Sequence, residues 1–495
     1  LYPTLVRSLL LPISERALGL PIISNLKQLM ESQWWPSDRL RGLQLNKLRR
    51  LLLHAKHTIP HFRDLMSGVT EARIETEPLA VYAGLPYLLK ERIREEFPVR
   101  IVSESFTERD YKKTATAGST GRPFKYVVSK SGYAAWWAHH LRAFEAAGYR
   151  LGDKTVYLGG VRKMTSVRRV RDLLIRQIQP VDAYKSSERL FDEYVARIAR
   201  YRPRILRGFP EMLFLLAEAA ERKGVRDIRP VSVISNSDKV HGFQRKYIEQ
   251  VFQAPVFDYY SCPESGAFAF QCEKRDGYHL ALEHGFVEFA DESWNPIDFT
   301  AGTSPVTGAI VSTNLDNMAM GFIRYVTGDF ASVRGTAGPS VSNAGGAGAL
   351  ADLPGRACNC GRGLPVIESV EGRAHSLIIT RDGRYLHGVL FELLFLHTET
   401  LRDLGQWVDR IQFVQETADL VVVNVLRQRE GTGAAVQEET LSQAVAEVKQ
   451  LLGPGMSVEV RFVDHIQQPP SGKRQLVVSK VLPERMRPRN EIHWA

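Results

Sequence analysis

The chain is poor in cysteine, with Cys262, Cys272, Cys358 and Cys360 the only four in 495 residues. A secreted disulfide scaffold is shorter and far richer in this residue, so reduced thiols in a cytosolic protein are expected. No run approaches the roughly 18 uninterrupted apolar residues of a membrane-spanning helix. Near the start, Leu9-Leu10-Leu11 and Leu18-Gly19-Leu20 are broken up by Arg7, Glu15, Arg16 and two prolines. They read as an amphipathic docked helix, with contact at a membrane surface as the lesser alternative. A His-Glu-x-x-His pattern is missing, so His54, His57 and His61 read as surface or helix-end residues and not as a metal site. There is no Gly-Lys-Ser/Thr after a glycine-rich loop, which excludes a Walker A element. Nor is there an internal repeat. The net charge is +10, yet the basic residues are spread along the chain instead of forming one stripe with interleaved aromatics, which argues against nucleic acid.

What is present is the balance of a globular protein, 44% hydrophobic and 24% charged. Length alone suggests about three domains. Residues 1–100 read as helical and basic, with Leu40, Leu43, Leu45, Leu48, Leu51 and Leu52 at near-helical spacing. A helix over 131–147 carries Tyr133, Trp136 and Trp137, either as core or as the wall of an acyl pocket. From 187 to 255 helices and strands alternate, which argues for a parallel sheet. Ser235-Asn236-Ser237-Asp238 directly follows a strand, where doubly wound sheets place ligand loops. Val256–Tyr259 reads as a further strand that leads into Tyr260–Glu264. The Gly- and Ala-rich stretch 335–355 buries little and reads as a loop or insertion. Beyond Gly372-Arg373, three strands and a helix over 437–452 suit a small α+β domain.

Several motifs carry chemistry. In Thr116-Ala117-Gly118-Ser119-Thr120-Gly121-Arg122-Pro123 small residues admit a polyanion close to the backbone, with hydroxyl donors, Arg122 and Lys125 around it. In Arg324-Tyr325-Val326-Thr327-Gly328-Asp329 a carboxylate at a tight Thr-Gly turn suits a vicinal diol. In Ser471-Gly472-Lys473 a cation on a flexible stem suits a role that requires entering and leaving a site. Cys272 with His279, and Cys358 with Cys360, supply four ligands of the kind that close a tetrahedral structural zinc site. Buried free thiols are the alternative. Cys262 stands outside the set as a packed thiol.

In this order the motifs resemble those of the adenylate-forming enzymes, with Tyr260-Ser261-Cys262-Pro263-Glu264 similar to their Tyr-Gly-x-Thr/Ser-Glu element. Cys358-Asn359-Cys360-Gly361-Arg362 with Leu364-Pro365, the Cys-x6-His upstream and the opening run 44–62 resemble the phenylacetate–CoA ligase group, coenzyme F390 synthetases and CapK-like proteins. The resemblance implies an α/β fold: a large N-terminal adenylation domain over 1–371 with parallel-rich sheets, and a small mobile α+β lid over 372–495. It implies ATP-dependent activation of an aryl or other hydrophobic carboxylic acid, followed by transfer to coenzyme A. The alternatives are another acceptor, or a non-catalytic protein of polysaccharide assembly.

The same resemblance implies residue roles. Thr116, Gly118, Ser119, Thr120 and Gly121 surround the phosphates, with Thr120 also catalytic. Ser235, Asp238, Tyr259 and Tyr260 lie beside adenine, Asp329 takes the ribose and Arg373 stands at the inter-domain hinge. Glu264 holds Mg²⁺, Lys473 is the catalytic cation, and Cys272, His279, Cys358 and Cys360 hold zinc. Ser261, Pro263 and the Ala374-His375-Ser376 run depart from the family's pattern. The expected setting is cytoplasmic or at the membrane periphery, with no nucleic acid and no transmembrane segment, and with a homodimer left open.

Overall fold

Short β-branched runs alternating with amphipathic helices build most of the protein, here a computed structural model. It describes residues 15, 19–116, 124–159, 177–182, 188–236, 239–240, 242–291, 293–297, 305–334, 350, 355–373, 377–381, 385–387, 408–427, 434–466 and 477–481. The chain falls into two compact units, the large one from 1–115 with 124–371 and the small one from 372–495, with which 116–123 is grouped.

The large unit opens with helices α1 (Ile22–Ser32) and α2 (Ser37–Thr58). Leu40, Leu48, Leu51, Leu52 and Ala55 form the buried stripe of α2, and Pro60 opens a new short helix just beyond its end. One-turn helices at Pro60–Leu65, Glu71–Thr76, Pro78–Ala83 and Lys90–Glu96 follow. They pack Phe62, Tyr82 and Ile93 against Phe286, Phe322 and Tyr325. A two-stranded piece, β1 (Tyr111–Thr116) with β2 (Phe124–Ser129), leads straight into α3 (Lys130–Ala146). The Ser129 hydroxyl caps α3 by accepting the Gly132 N–H.

The main sheet has eight strands: β3 (Thr155–Gly159), β4 (Ile178–Asp182), β5 (Ile205–Gly208), β6 (Ser232–Ser235), β7 (Val256–Cys262), β8 (Ala267–Phe270), β9 (Tyr278–Leu280) and β13 (Val366–Ile367). Their order is β13-β9-β8-β7-β6-β5-β3-β4. The five strands from β4 to β7 are parallel. Those from β7 to β13 are antiparallel. Strand order reverses at β3, which has β4 on one side and β5 on the other. Helices α4 (Glu188–Tyr201), α5 (Pro210–Arg222) and α6 (Gly242–Phe252) cover one face, against Val156, Leu158, Leu206, Val233 and Val256. The alternate residues Ile205, Ile234 and Phe257 meet Leu141 and Phe144 of α3 and Leu26 and Leu29 of α1 on the other face.

A second sheet takes β10 (Gly285–Ala290), β11 (Val306–Asn314), β12 (Tyr325–Val333) and β14 (Ser369–Arg373) in the order β10-β11-β12-β14. Its Phe289, Ile310, Ala331 and Val333 share one buried cluster with Cys262, Ala267, Ala269 and Leu280 of the main sheet. That shared core makes both sheets one unit, fewer than length alone suggests.

The small unit has a short pair, β15 (Leu377–Ile379) with β16 (Tyr385–His387). Its sheet of β17 (Val408–Gln415), β18 (Leu420–Arg427), β19 (Ser457–Phe462) and β20 (Val477–Ser479) runs in the order β19-β18-β17-β20. Helix α7 (Ala434–Leu452) buries Ala444, Val448 and Leu452 against Phe413, Val421, Val423 and Val425.

Three expectations are corrected. Strand β7 runs on through Cys262 and not only to Tyr259, so Tyr260 is a strand residue. The Thr327-Gly328-Asp329 step lies within β12 as a bulge: the pairing jumps from Ala309–Phe330 to Val311–Val326 across it. And of the two positions expected for His61 the structure has the helix end, in Pro60–Leu65, and not the surface: the residue is buried, its Nδ1 2.6 Å from Glu96.

Candidate active site

The bulge in β12 aims a carboxylate. Gly328 takes a φ of +77°, a conformation glycine adopts without penalty. The Thr327 hydroxyl donates to the Ile310 carbonyl at 2.9 Å and accepts the Asp329 N–H at 3.1 Å, which pins the turned backbone. Asp329 then accepts the Tyr260 hydroxyl at 2.8 Å. Burial and the Asp329 charge push the Tyr260 phenol well above its ordinary range, so it stays a neutral donor.

Arg324, at the other end of the same hexapeptide, is committed to the fold. Its guanidinium meets Glu288 through two bonds of 2.9 and 2.8 Å and donates to the Ala83 and Leu85 carbonyls. Tyr82 donates to the same Glu288 at 2.8 Å. Burial works against the Arg324 charge, but Glu288 outweighs it and holds its pKa above the ordinary value.

Glu264 sits in the turn after β7 and is 4% exposed, with its backbone carbonyl bonded by Asn314 Nδ2 at 3.1 Å. Behind burial, its charge helps raise the phenol of Tyr126 on β2. Ser235 ends β6 fully buried, and its hydroxyl has no hydrogen-bond partner among the described residues.

Tyr259 and Tyr260 point to opposite faces of β7, as strand neighbours must. Tyr259 joins an aromatic surface with α3: its ring centroid lies 5.2 Å from His140, 5.6 Å from Phe144 and 5.9 Å from Phe268. Trp136 packs 4.2 Å from His140 and donates to the Ser261 hydroxyl at 3.1 Å. Burial pushes the His140 imidazole down to about 3, so it is neutral at physiological pH. Arg207 of β5 completes this surface, its guanidinium 4.8 Å from the Phe144 ring centre and 4.6 Å from that of Tyr157. The sequence reading missed Arg207. Its signal was a charge inside the otherwise apolar strand Ile205-Leu206-Arg207-Gly208.

The cysteine group converges. The ligand atoms of Cys272, His279, Cys358 and Cys360 all lie within 4.8 Å of one another. Cys272 and Cys358 sulfurs are 3.9 Å apart, and Cys360 Sγ lies 3.3 Å from His279 Nε2. Tetrahedral ligands at zinc bond lengths stand roughly 3.5–3.8 Å apart, so this group could hold a metal ion. His279 Nδ1 donates to the Leu364 carbonyl at 2.9 Å, which leaves Nε2 as the ligating lone pair. Cys262 is a packed thiol in the shared core.

A second cluster, His139, His284 and Asp316, is an ion-pair network. His284 Nδ1 is 2.7 Å and Lys47 Nζ 2.6 Å from the Asp316 carboxylate, and Arg142 pairs with Glu283 at 2.7 Å and contacts His139. Two cations beside the ligands oppose a metal ion there.

Thr116 ends β1 and Arg373 ends β14, with their side chains outside the described residues. Gly118, Ser119, Thr120, Gly121, Asp238, Lys473 and nearly all of 335–355 also lie outside them.

A parallel-rich sheet sharing its core with a second sheet, plus a separate α+β unit, is the fold of adenylate-forming CoA ligases. The 2-hydroxyisobutyryl-CoA ligase in complex with 2-HIB-AMP has it, at a TM-score of 0.62 and 18% identity over 90% of each chain. The same ligase with 2-HIB-AMP and CoA matches at 0.54 and 20% identity, over 89% of this chain and 90% of that one. In sequence the protein is similar to phenylacetate–coenzyme A ligases. That of Pseudomonas putida is 25% identical over 315 residues, 61% of this chain and 69% of the relative. That of Thermus thermophilus is 23% identical over 363 residues, 71% and 74% of the two chains. Residues 379–480 match the CapK C-terminal domain.

Proposed function

We propose that the protein is an AMP-forming acid–thiol ligase. It activates an aryl or other hydrophobic carboxylic acid with ATP and passes the acyl group to coenzyme A. The observation that carries this is the Tyr260–Asp329 pair, a carboxylate held by a neutral donor at a pinned bulge, where it can accept from both hydroxyls of a ribose. The similarity to phenylacetate–coenzyme A ligases supports the same reading.

In the first step the acid's carboxylate attacks the α-phosphorus of ATP, the bond to the β-phosphate oxygen breaks and pyrophosphate leaves. In the second a thiolate attacks the acyl carbon and AMP leaves. Catalysis here is charge neutralisation and alignment. Asp329 and Tyr260 fix the nucleoside, with Ser235 and Asp238 toward the base, while Tyr259, on the opposite face of β7 from Tyr260, sides with the acid. Thr116, Gly118, Ser119, Thr120 and Gly121 hold the phosphates. Glu264 is the ligand for Mg²⁺, which supplies charge neutralisation on the phosphates. Lys473 brings the moving cation, with residues 372–495 as a lid that turns about Arg373. Cys272, His279, Cys358 and Cys360 hold a structural zinc, as their donor set and spacing support. The reading is of a cytoplasmic small-molecule enzyme without a nucleic-acid partner; no described helix is long and apolar enough to cross a membrane.

The CapK C-terminal match keeps a second reading, transfer to an acceptor other than coenzyme A. Acid-dependent exchange of labelled pyrophosphate into ATP tests the first step, and thioester formation with coenzyme A tests the second. Exchange without thioester would select the other acceptor, and no exchange with any acid would defeat both.

A further inference from the structure

We infer that Arg207 is a specificity-determining residue that reads a second carboxylate on the acid, at the end remote from the reacting one. The inference rests on the adenylation reading for what happens at the reacting end.

Arg207 is the penultimate residue of β5, in register with Tyr157 of β3 and Ile234 of β6. Strand order reverses between β3 and β5, and open parallel sheets bind ligands at the carboxyl ends of strands at such a reversal. Position alone therefore points the residue at a ligand.

Its chemistry says which kind. Arg207 is half-buried and its Nε is fully buried without a hydrogen-bond partner. Among the described residues no carboxylate or carbonyl accepts from it. The fully buried Arg142 and the buried Arg324 of the same unit are each ion-paired, to Glu283 and Glu288. The rings of Phe144 and Tyr157 lie over the Arg207 guanidinium and stabilise its charge. A ring face takes no hydrogen bond in the guanidinium plane, so the fork of donors remains to be filled. A planar carboxylate matches that fork with two parallel bonds.

The surroundings set the rest of the molecule. Half-buried Trp136 and Tyr259, backed by the buried His140 and Phe144, offer apolar walls for an aromatic ring. His140 is neutral, so Arg207 supplies the positive charge of this surface. Two strand spacings of about 4.8 Å and three residues of about 3.3 Å put roughly 14 Å between the Cα atoms of Arg207 and Tyr260. The cation thus stands apart from the Asp329 corner and on the Tyr259 face of the sheet, opposite to Tyr260, which groups it with the aromatic end of an acid and not with the nucleoside.

Isothermal titration of the full chain with phenylacetate and with 3- and 4-carboxyphenylacetate tests this. One of the diacids should bind about 10- to 100-fold tighter than phenylacetate, the range for a charged hydrogen bond to a desolvated partner. Arg207→Met should abolish that advantage and leave phenylacetate binding unchanged, and Arg207→Lys should restore part of it. Arg207→Gln gives the same comparison should the methionine variant fail to fold. An equal loss for mono- and diacid would show that the cation holds the reacting carboxylate, and would overturn the inference. So would a wild-type protein that does not distinguish them. Pyrophosphate release with none of these acids would sink the adenylation reading for this substrate class, while the titration would still decide on Arg207.

Discussion

Two arginines on the main fold show how differently one side chain is used. At the Arg324 corner every direction of the guanidinium is answered by the protein: Glu288 across its fork, the Ala83 and Leu85 carbonyls at its side. At the Arg207 face aromatic rings pack on it, and among the described residues nothing accepts from its buried Nε. Burying a charge is costly unless it is paired and hydrogen-bonded. The first arginine therefore belongs to the fold, and the second keeps its bonds for something the fold does not contain. The difference lies in partners and not in residue type.

The sharpest way to break this comparison is to strip Arg324 of its carboxylate. Glu288→Gln leaves a buried cation uncompensated and should cost about 3–5 kcal/mol of stability, read as a lower urea midpoint. An unchanged midpoint would show that the corner is not held by this pair.

Lys47 and Asp316 give the pairing principle a pH signature. Burial raises the Asp316 carboxyl, but Lys47 and the His284 bond outweigh it and hold its pKa down at about 2. A folded value below the unfolded one of about 3.9 means stability that is present above pH 4 and lost as pH falls toward 2. The loss should amount to about 2.5 kcal/mol. Asp316→Asn should flatten the acid limb of the stability curve while lowering stability at neutral pH; a steep limb in the variant would assign the effect elsewhere.

Asp329 is a third buried charge, a carboxylate held at a bulge by the Tyr260 hydroxyl. Asp329→Asn should lower kcat/KM for adenylation about 10- to 100-fold and leave the melting temperature within a few degrees. A large fall in melting temperature would make the carboxylate a structural group like Glu288. The smallest effect belongs to Arg207→Met. Removing an unpaired charge breaks no ion pair, so stability should move by no more than about 0.5 kcal/mol. A loss of several kcal/mol would mean that the protein itself answers this arginine.

Local pattern was enough for much of the architecture. Val256 to Tyr259, Leu420 to Val425 and the helix from 437 to 452 declare themselves by β-branched runs or by helical spacing, and the structure has all three. The Cys-x6-His and Cys-x-Cys spacings likewise announced a four-ligand group, which the fold draws together. Other features had no local mark. His61 lies in a histidine-rich stretch that looks like surface, and only its contact with Glu96 explains its burial. Adjacent Tyr259 and Tyr260 look like one recognition element until strand alternation sends them to opposite faces. The Thr-Gly-Asp step reads as a turn, whereas β11 pairs on both sides of it and makes it a bulge.

What the sequence determined by itself were the residue types that chemistry requires and the short-range periodicities that make strands and helices, because both depend on neighbours a few positions apart. What only the tertiary structure decided was which charges are answered. Glu288 lies 36 residues from Arg324 along the chain and within hydrogen-bond reach in space. That no described residue accepts from Arg207 Nε is likewise a property of the packed sheet and its covering helix. Hydrogen bonds act over a few ångströms, and it is the folded chain, not the order of its residues, that says what falls within that distance.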